Sequence, residues 1–266
     1  MKELVTLKTS SEIATMRRAG TVVVAMLERC RAAVRPGITT AELDRIAAAV
    51  LREHGATSSF LGYYGYPATI CTSVNDEIVH GIPSTRRLRQ GDIVGIDAGA
   101  VVDGWHADAA ITVPVGRASG ETLRLIATTE EALRRGIAAA RVGARLGDIG
   151  ATVQRCVEGE GFTVVRNYVG HGIGRAMHEP PQVPNYGAAG QDRTISEGLC
   201  IAIEPMVNAG GTETRLLDDG WTVVSADGSL SAHFEHTIAC TAEGPVVLTA
   251  ARLGRRETAP DRAAMA

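Results

Sequence analysis

Hydrophobic residues in the N-terminal part of the chain recur with the period of an α-helix. They lie at Ile13, Met16, Val23, Met26 and Leu27. This spacing predicts a helix over residues 11–34, with Ser10 or Ser11 as its N-cap. Pro36-Gly37 ends this helix, because both residue types disfavour its continuation. Thr39 or Thr40 can cap a second helix, whose apolar pattern runs to about residue 54.

A different pattern, with period two, follows in VGIDAGAVVDGWHADAAITV at residues 94–113. It predicts a β-hairpin whose turn is Val102-Asp103-Gly104-Trp105. Strand alternation places Asp97 and Asp108 on the same face of this hairpin. A buried carboxylate without a partner costs several kcal/mol, yet residues 92–115 contain no Lys or Arg. A bound metal ion would resolve this repulsion.

The chain also contains a weak internal repeat. RPGITTAELD resembles RVGARLGDIG, which follows it 106 residues later. At an offset of 107, GDIVGID aligns with GLCIAIE, so that Asp97 corresponds to Glu204. The D-x-x-I at Asp108 resembles the E-x-x-I at Glu235. A duplicated unit of this length makes half a domain. We therefore expect two helix–helix–hairpin halves, related by a pseudo-two-fold axis, that bring their acids together.

Composition narrows the class of protein. The chain has 266 residues, 45% hydrophobic and 21% charged, as is typical of a globular enzyme. The net charge of −3 gives no electrostatic reason to expect nucleic acid or an anionic membrane as a partner. Five cysteines without C-x-x-C spacing indicate reduced thiols. Of the 27 basic residues only Lys2 and Lys8 are lysine, which we attribute to codon bias.

The N-terminal segment has no signal-peptide pattern, and no nearby apolar run is long enough to span a bilayer. These features predict a cytoplasmic protein. The segment LGRRETAPDRAAMA has no apolar periodicity, so we expect one catalytic domain over residues 1–252 and a disordered tail over 253–266.

Five residues stand out as candidate metal ligands: Asp97, Asp108, His171, Glu204 and Glu235. An oxygen-rich set with one imidazole suits Mn(II), Fe(II), Co(II) or Zn(II). Four carboxylates balance the charge of two such ions, as in dinuclear hydrolases. Each acid alone would more often face solvent on a strand, and a single histidine among glycines is more often structural. The alignment of the acids in pairs across the repeat favours the metal site.

The motifs of several other enzyme classes are incomplete in this chain. GHGIG is followed by HEPP instead of a phosphate-binding helix, and Pro180-Pro181 forbids the helix that a zincin motif at His178-Glu179 needs. The glycines beside His171 suggest that the backbone comes close to whatever the ring binds. The serine-hydrolase motif G-x-S-x-G does not occur. Cys71 has no demonstrated base beside it, so we expect it to form part of a pocket wall.

Six segments carry a resemblance to a known family: VNDEIVHGIP, GDIVGIDAG, DGWHADAAITV, YVGHGIGRAMHEPPQVPNYG, AIEPMVNAG and DGWTVVSADGSLSAHFEHTI. Over residues 5–249 the chain resembles type I methionine aminopeptidases of the short bacterial form, in peptidase family M24. The resemblance implies an α+β pita-bread fold with a pseudo-two-fold repeat of helices around a curved antiparallel sheet. It implies release of the initiator methionine from N-terminal methionyl peptides and nascent chains.

The resemblance also implies residue roles. Asp97 would chelate one divalent ion, Asp108 and Glu235 would bridge two, and His171 and Glu204 would complete the second site. A metal-bridging water or hydroxide would attack the first peptide bond, with Glu204 as base. His178 would hydrogen-bond the carbonyl oxygen, and His80 would contact the scissile nitrogen.

The same resemblance implies a methionine pocket and further partners. The pocket would be lined by Phe60, Tyr63, Tyr66, Cys71, His80, Met177, His178 and Trp221. Phe60 and Met177 stand where the enterobacterial enzymes commonly carry cysteine and phenylalanine, which leaves the fine shape of the pocket open. A monovalent cation, Na⁺ or K⁺, is implied near Asn75 and Ser231. We expect a monomer with a transient ribosome contact.

Two other functions remain open at this stage. An X-Pro peptidase shares the implied fold but carries an extra N-terminal domain, whereas the predicted helices begin near residue 11. A binding protein on the same scaffold would not need all five ligands.

Overall fold

The computed structural model describes residues 4–250 of the chain. Its helices are α1 (Ser10–Ala33), α2 (Thr40–Glu53), α3 (Gly120–Ala139) and α4 (Leu146–Gly159), with a 3-10 turn at Tyr63–Gly65. No helix among these residues has both the length and the apolar character needed to cross a membrane. The tail predicted at 253–266 lies outside the described residues, and the single domain over 1–252 stays a prediction.

Both predicted N-terminal helices are present, within a residue or so of their predicted bounds. Thr9 caps α1, instead of either serine after it, because its hydroxyl accepts from the Glu12 N–H while the Glu12 carboxylate accepts from the Thr9 N–H. Thr39 and Glu42 make the same reciprocal pair at α2. Each pair satisfies two helix-terminal groups that would otherwise lack partners.

The strands follow in chain order. They are β1 (Thr57–Ser58), β2 (Ile70–Val74), β3 (Glu77–Val79), β4 (Ile93–Val102), β5 (Trp105–Pro114), β6 (Thr163–Val164), β7 (Gly170–Gly172), β8 (Glu179–Val183), β9 (Cys200–Ile203), β10 (Met206–Asn208), β11 (Thr214–Leu216), β12 (Val223–Ser225), β13 (Ser231–His233), β14 (Glu235–Thr241) and β15 (Gly244–Val247).

Nine of these strands form one antiparallel sheet in the order β1-β4-β5-β14-β9-β7-β8, with β2 paired to β4 and β15 paired to β14. Two three-stranded sheets, β13-β10-β6 and β11-β12-β3, lie beside it. One apolar core joins α1 and α2 to β4 and β5. A second joins α3 and α4 to β9 and the strands around it. The arrangement is the predicted α+β pita-bread fold.

The internal repeat is visible in the backbone. The Gly37 N–H donates to the Leu88 carbonyl at 2.8 Å, and 106 residues later the Gly143 N–H donates to the Ile195 carbonyl at 3.0 Å. Both glycines have left-handed φ values, 91° and 90°, which an L side chain rarely adopts. β4 and β9 hold equivalent places on either side of β5 and β14. The pseudo-two-fold axis therefore runs between β5 and β14.

The seam between the two halves is short. Regular pairing of β14 with β5 is limited to Glu235 and His236. At the next residue of β14, the Thr237 side chain replaces backbone pairing. Its hydroxyl accepts from the Asp108 N–H at 2.9 Å and donates to the Asp108 carbonyl at 2.8 Å. Thr237 thus holds the backbone of a predicted metal ligand to the opposite half.

We predict that Thr237→Val lowers the free energy of unfolding by about 2–4 kcal/mol, because two buried backbone groups of Asp108 lose their partner while the side-chain volume is kept. Urea denaturation measures the loss. The exposed Thr85→Val is the matched control, with an expected change within about 0.5 kcal/mol. Equal stability of the two variants would show that Thr237 does not hold the seam.

Candidate active site

All thirteen residues predicted for the site line one cavity of about 240 Å³. They are Phe60, Tyr63, Tyr66, Cys71, His80, Asp97, Asp108, His171, Met177, His178, Glu204, Trp221 and Glu235. The cavity has one further lining residue, Tyr64. Residues separated by up to 175 positions in the chain thus share one space, because both halves of the repeat open onto it.

The first two acids come from the predicted hairpin. Asp97 on β4 pairs with Ala110, and Asp108 on β5 pairs with Gly99 two residues along. The carboxylates therefore lie diagonally on one face, as the alternation predicted. Asp103 and Gly104 form the turn with φ values of 50° and 73°, which matches the tight hairpin turns that twist with the strands.

The other three candidate ligands come from the second half. Glu204 follows β9, and its carbonyl accepts a hydrogen bond from the Asn185 side chain at 3.0 Å. Glu235 begins β14, and His171 lies in β7. The His171 Nε2 atom is 3.5 Å from Glu204 Oε1 and 4.0 Å from Asp108 Oδ2. The halves therefore meet at these side chains.

The glycines on either side of His171 serve packing between strands. A Cβ atom at Gly170 would overlap the carbonyl oxygen of Ala202, and one at Gly172 would overlap that of Pro180. The neighbouring backbone therefore requires glycine at both positions, a reason that the sequence interpretation did not include.

The donor set fits divalent metal ions. One oxygen each of Asp97, Asp108 and Glu235 is buried without a hydrogen-bond partner. Ligand atoms of Asp108, His171 and Glu235 all lie within 4.8 Å of one another. Among residues 4–250, no lysine or arginine lines the cavity to neutralise the acids. Unpaired carboxylate oxygens around one point are the arrangement that a bound cation requires.

The electrostatics of the site agree with this interpretation. Burial raises the pKa of Asp97 to about 7. Burial, and then the charges of neighbouring acids, raise the pKa of Asp108, Glu204 and Glu235 well above the usual range. Without a cation these groups favour the protonated form, because ionisation would place several negative charges close together on buried groups.

His171 is prepared to act as a ligand. Its Nδ1 atom lies 2.9 Å from the Gly172 carbonyl, and a carbonyl only accepts, so Nδ1 carries the proton. Nε2 therefore presents its lone pair toward the acids, the usual form of a metal-bound histidine. Burial, followed by the nearby His178, lowers the pKa of His171 to about 3. The ring is neutral and available to a metal.

The apolar part of the cavity is formed by one packed cluster: Phe60, Tyr63, Tyr66, Ala68, Cys71, Ile82, Met177 and Trp221. Tyr66 is held in place because its hydroxyl donates toward the Ile70 and Gly81 carbonyls. Burial raises the pKa of the Cys71 thiol well above its usual value, followed by the charge of Asp97. Cys71 is therefore a poor nucleophile and part of the pocket wall.

Two histidines flank the acids. His80 has a left-handed φ of 61° and its ring lies edge-on to Tyr168 and Trp221. Burial lowers the pKa of His80 to about 4. The His178 ring packs edge-on to His171 with ring centroids 4.2 Å apart. Both rings line the cavity beside the acids.

Two features of the site were missed from the sequence. Tyr64, 86% exposed, joins the cavity because a φ of 46° in the 3-10 turn directs the chain there. Lys8 is almost fully buried and forms an ion pair of 2.7 Å with Glu179, the residue after His178. Lysine is rare in this chain, and Lys8 is one of only two. That rarity could have drawn attention to Lys8 from the sequence. Lys8 anchors the segment that carries Met177 and His178.

Asn75 and Ser231, named for a monovalent cation, lie side by side. The Ser231 N–H donates to the Asn75 carbonyl at 2.8 Å. The Asn75 side chain is bound to Asp92 and to the Ile93 N–H. The cation itself stays a prediction.

Comparison with known proteins places this site in a family. A model of metallopeptidase family M24 matches residues 14–242. The methionine aminopeptidase of Clostridium perfringens is 51% identical over 246 residues, which are 92% of this chain and 99% of that protein. Methionine aminopeptidase 1 of Mycobacterium tuberculosis is 51% identical over 255 residues, 93% of this chain and 96% of that one.

Solved structures show the same similarity. The methionine aminopeptidase of Thermotoga maritima superposes with a TM-score of 0.92 at 41% identity, covering 93% of this chain and all of that one. The prolidase of Pyrococcus furiosus superposes with a TM-score of 0.74 at 20% identity, and the match covers 65% of its chain. That likeness shows a shared fold.

The fold and the cluster of acids around one imidazole define a metallopeptidase of the pita-bread class. The chain belongs to metallopeptidase family M24. Its relatives at about half identity are bacterial methionine aminopeptidases, which confirms the resemblance found in the sequence and the enzyme class, a metallo-aminopeptidase.

We predict that metal stabilises the protein more strongly as the pH rises. Without metal, the buried acids bind protons that the unfolded chain releases near pH 4, so stability falls as the pH rises through about 7. Bound Mn(II) replaces those protons, and its stabilising effect should grow over the same range. Thermal unfolding with EDTA and with Mn(II), at about pH 5.5 to 8.5, measures the difference.

Asp97→Asn should reduce both the metal effect and its pH dependence. The exposed Asp218→Asn serves as the control. A metal-induced shift that is the same at every pH, or that Asp97→Asn leaves unchanged, would rule out this ligand set.

We predict that Lys8→Met lowers the free energy of unfolding by about 2–3 kcal/mol, because Glu179 loses a charged partner within the protein. Chemical denaturation provides the measurement. The control is Arg29→Met, whose pair with Glu53 is half exposed and should contribute no more than about 1 kcal/mol. Adding Glu179→Gln to Lys8→Met should recover part of the loss. Equal effects of the two single variants would show that the buried pair is not an anchor.

Proposed function

We propose that this chain is a dinuclear-metal aminopeptidase that releases the N-terminal methionine from peptides and nascent proteins. The proposal rests on one observation: the five candidate ligands and a packed apolar and aromatic cluster line the same cavity. A flexible thioether side chain suits such a cluster, because sulfur makes favourable contacts with aromatic rings.

The proposed ligands are Asp97, Asp108, His171, Glu204 and Glu235. Two divalent ions held there, of Co, Mn, Fe or Zn, would supply an activated water and offset negative charge that develops on the substrate carbonyl. The free α-amino group of the peptide would lie toward Asp97, which limits cleavage to the first peptide bond.

The chain's own groups would then move the protons. Glu204 would take a proton from the attacking water, because its carboxylate lines the cavity beside the other candidate ligands. Glu204 would pass it to the leaving nitrogen as the C–N bond breaks, with His80 in contact with that nitrogen. His178 would donate a hydrogen bond to the carbonyl oxygen as negative charge develops there.

The remaining expectations are proposals too. A monovalent cation beside Asn75 and Ser231 would be coordinated by neutral oxygen ligands such as backbone carbonyls. A transient ribosome contact would accord with nascent chains as substrates. The cytoplasmic location and the monomeric state expected from the sequence stay predictions.

We predict turnover of Met-Gly-Met-Met with Mn(II) or Co(II), loss of turnover with EDTA, and little or none on an Ala-Pro dipeptide. Glu204→Gln should lower kcat by about 100-fold or more, because the base is lost. The exposed Glu121→Gln is the matched control and should keep full activity. Free methionine is quantified by chromatography.

Turnover of the X-Pro substrate alone would replace this proposal with a prolidase-type activity. Metal binding without hydrolysis of either substrate would favour a binding protein on the same fold.

A further inference from the structure

The Tyr63 hydroxyl lies 2.7 Å from Nδ1 of His178. Tyr63 begins the 3-10 turn at Tyr63–Gly65, and His178 lies just before β8, 115 positions away. The two rings are tilted by 50° with centroids 5.3 Å apart. The contact therefore joins two separate segments of the pocket through one hydrogen bond.

Chemistry sets the direction of this bond. A neutral imidazole has one nitrogen that donates and one that accepts, while a phenol hydroxyl can do either. An imidazole nitrogen is a much better acceptor than a phenol oxygen, as shown by its protonation near pH 6.5, and the phenol, with a pKa near 10, is the stronger donor. Tyr63 therefore donates and Nδ1 accepts.

The direction of this hydrogen bond decides which nitrogen of His178 carries the proton that can be donated to a substrate. Among the described residues no hydrogen bond to His178 Nε2 is present. A peptide carbonyl only accepts hydrogen bonds. If Nδ1 carried the proton, Nε2 would present a lone pair to that carbonyl and repel it. The proton must stay on Nε2 for the ring to stabilise a developing negative charge.

We propose that Tyr63 is a positioning residue: its hydroxyl donates to His178 Nδ1 and so holds the His178 proton on Nε2, aimed at the substrate carbonyl. This inference rests on the proposed function, because it assigns His178 a task in that reaction. Tyr63 is thereby more than an apolar wall of the pocket.

The tautomer can be observed without any reaction. Full-length protein labelled with ¹⁵N-histidine and loaded with diamagnetic Zn(II) gives two-bond ¹H–¹⁵N correlations for its seven histidines. The pattern lost in His178→Gln identifies His178. We expect a protonated Nε2 and an unprotonated Nδ1 in the wild type. In Tyr63→Phe both nitrogens should shift toward an average of the two tautomers.

The matched control is Tyr186→Phe, whose ring packs under Arg166 outside the cavity; it should leave the His178 pattern unchanged. Equal unfolding midpoints of the wild type and both variants confirm that the fold is intact. A proton on Nδ1 in the wild type, or a His178 pattern that Tyr63→Phe does not alter, would overturn the proposal.

Kinetics separates positioning from simple packing. On Met-Gly-Met-Met, Tyr63→Phe should lower kcat by roughly three- to tenfold, the typical effect of one hydrogen bond, while KM stays within about twofold. In a His178→Ala background, Tyr63→Phe should cause no further loss, since the two residues act as one unit.

A change in KM alone, or an equal loss in both backgrounds, would assign Tyr63 to substrate packing and refute the proposal. If the wild type hydrolyses no methionyl peptide, the proposed function fails by itself, and the NMR result still decides the tautomer.

Discussion

Mutual repulsion among four buried carboxylates is the constraint on which the rest of this structure depends. Asp97, Asp108, Glu204 and Glu235 share one cavity, and their pKa values are raised by burial. Such a cluster is stable only when protons or cations neutralise it. Oxygens left without hydrogen-bond partners show that the protein does not supply that neutralisation itself.

The duplicated architecture explains how the acids come together. Each half supplies a strand pair backed by two helices, and apolar burial in two separate cores holds each half rigid. The acids then need only one short seam between β5 and β14 to face one another. Thr237 completes that seam where regular pairing stops. The hydrophobic cores thus provide the stability that an assembly of like charges lacks.

The pocket proposed for the substrate side chain depends on segments with little regular structure. The segment with Met177 and His178 is tied to the N-terminal part of the chain by Lys8 and Glu179, and to the β4–β5 turn by Arg175, which stacks on Trp105. The Tyr63 hydroxyl contacts His178 from the 3-10 turn. These polar contacts hold in place the groups that the proposed reaction would use.

The sequence alone determined the two N-terminal helices, the β4–β5 hairpin and the shared face of Asp97 and Asp108. Periodicity and turn chemistry act over a few residues, so these features are local. The repeat extended this to Glu204 and Glu235. Tertiary structure alone decided that Lys8 is buried against Glu179, that Tyr64 reaches the cavity and that neighbouring strands require the glycines beside His171. Each depends on contacts between residues far apart in the chain, and no local pattern encodes which atoms will meet after folding.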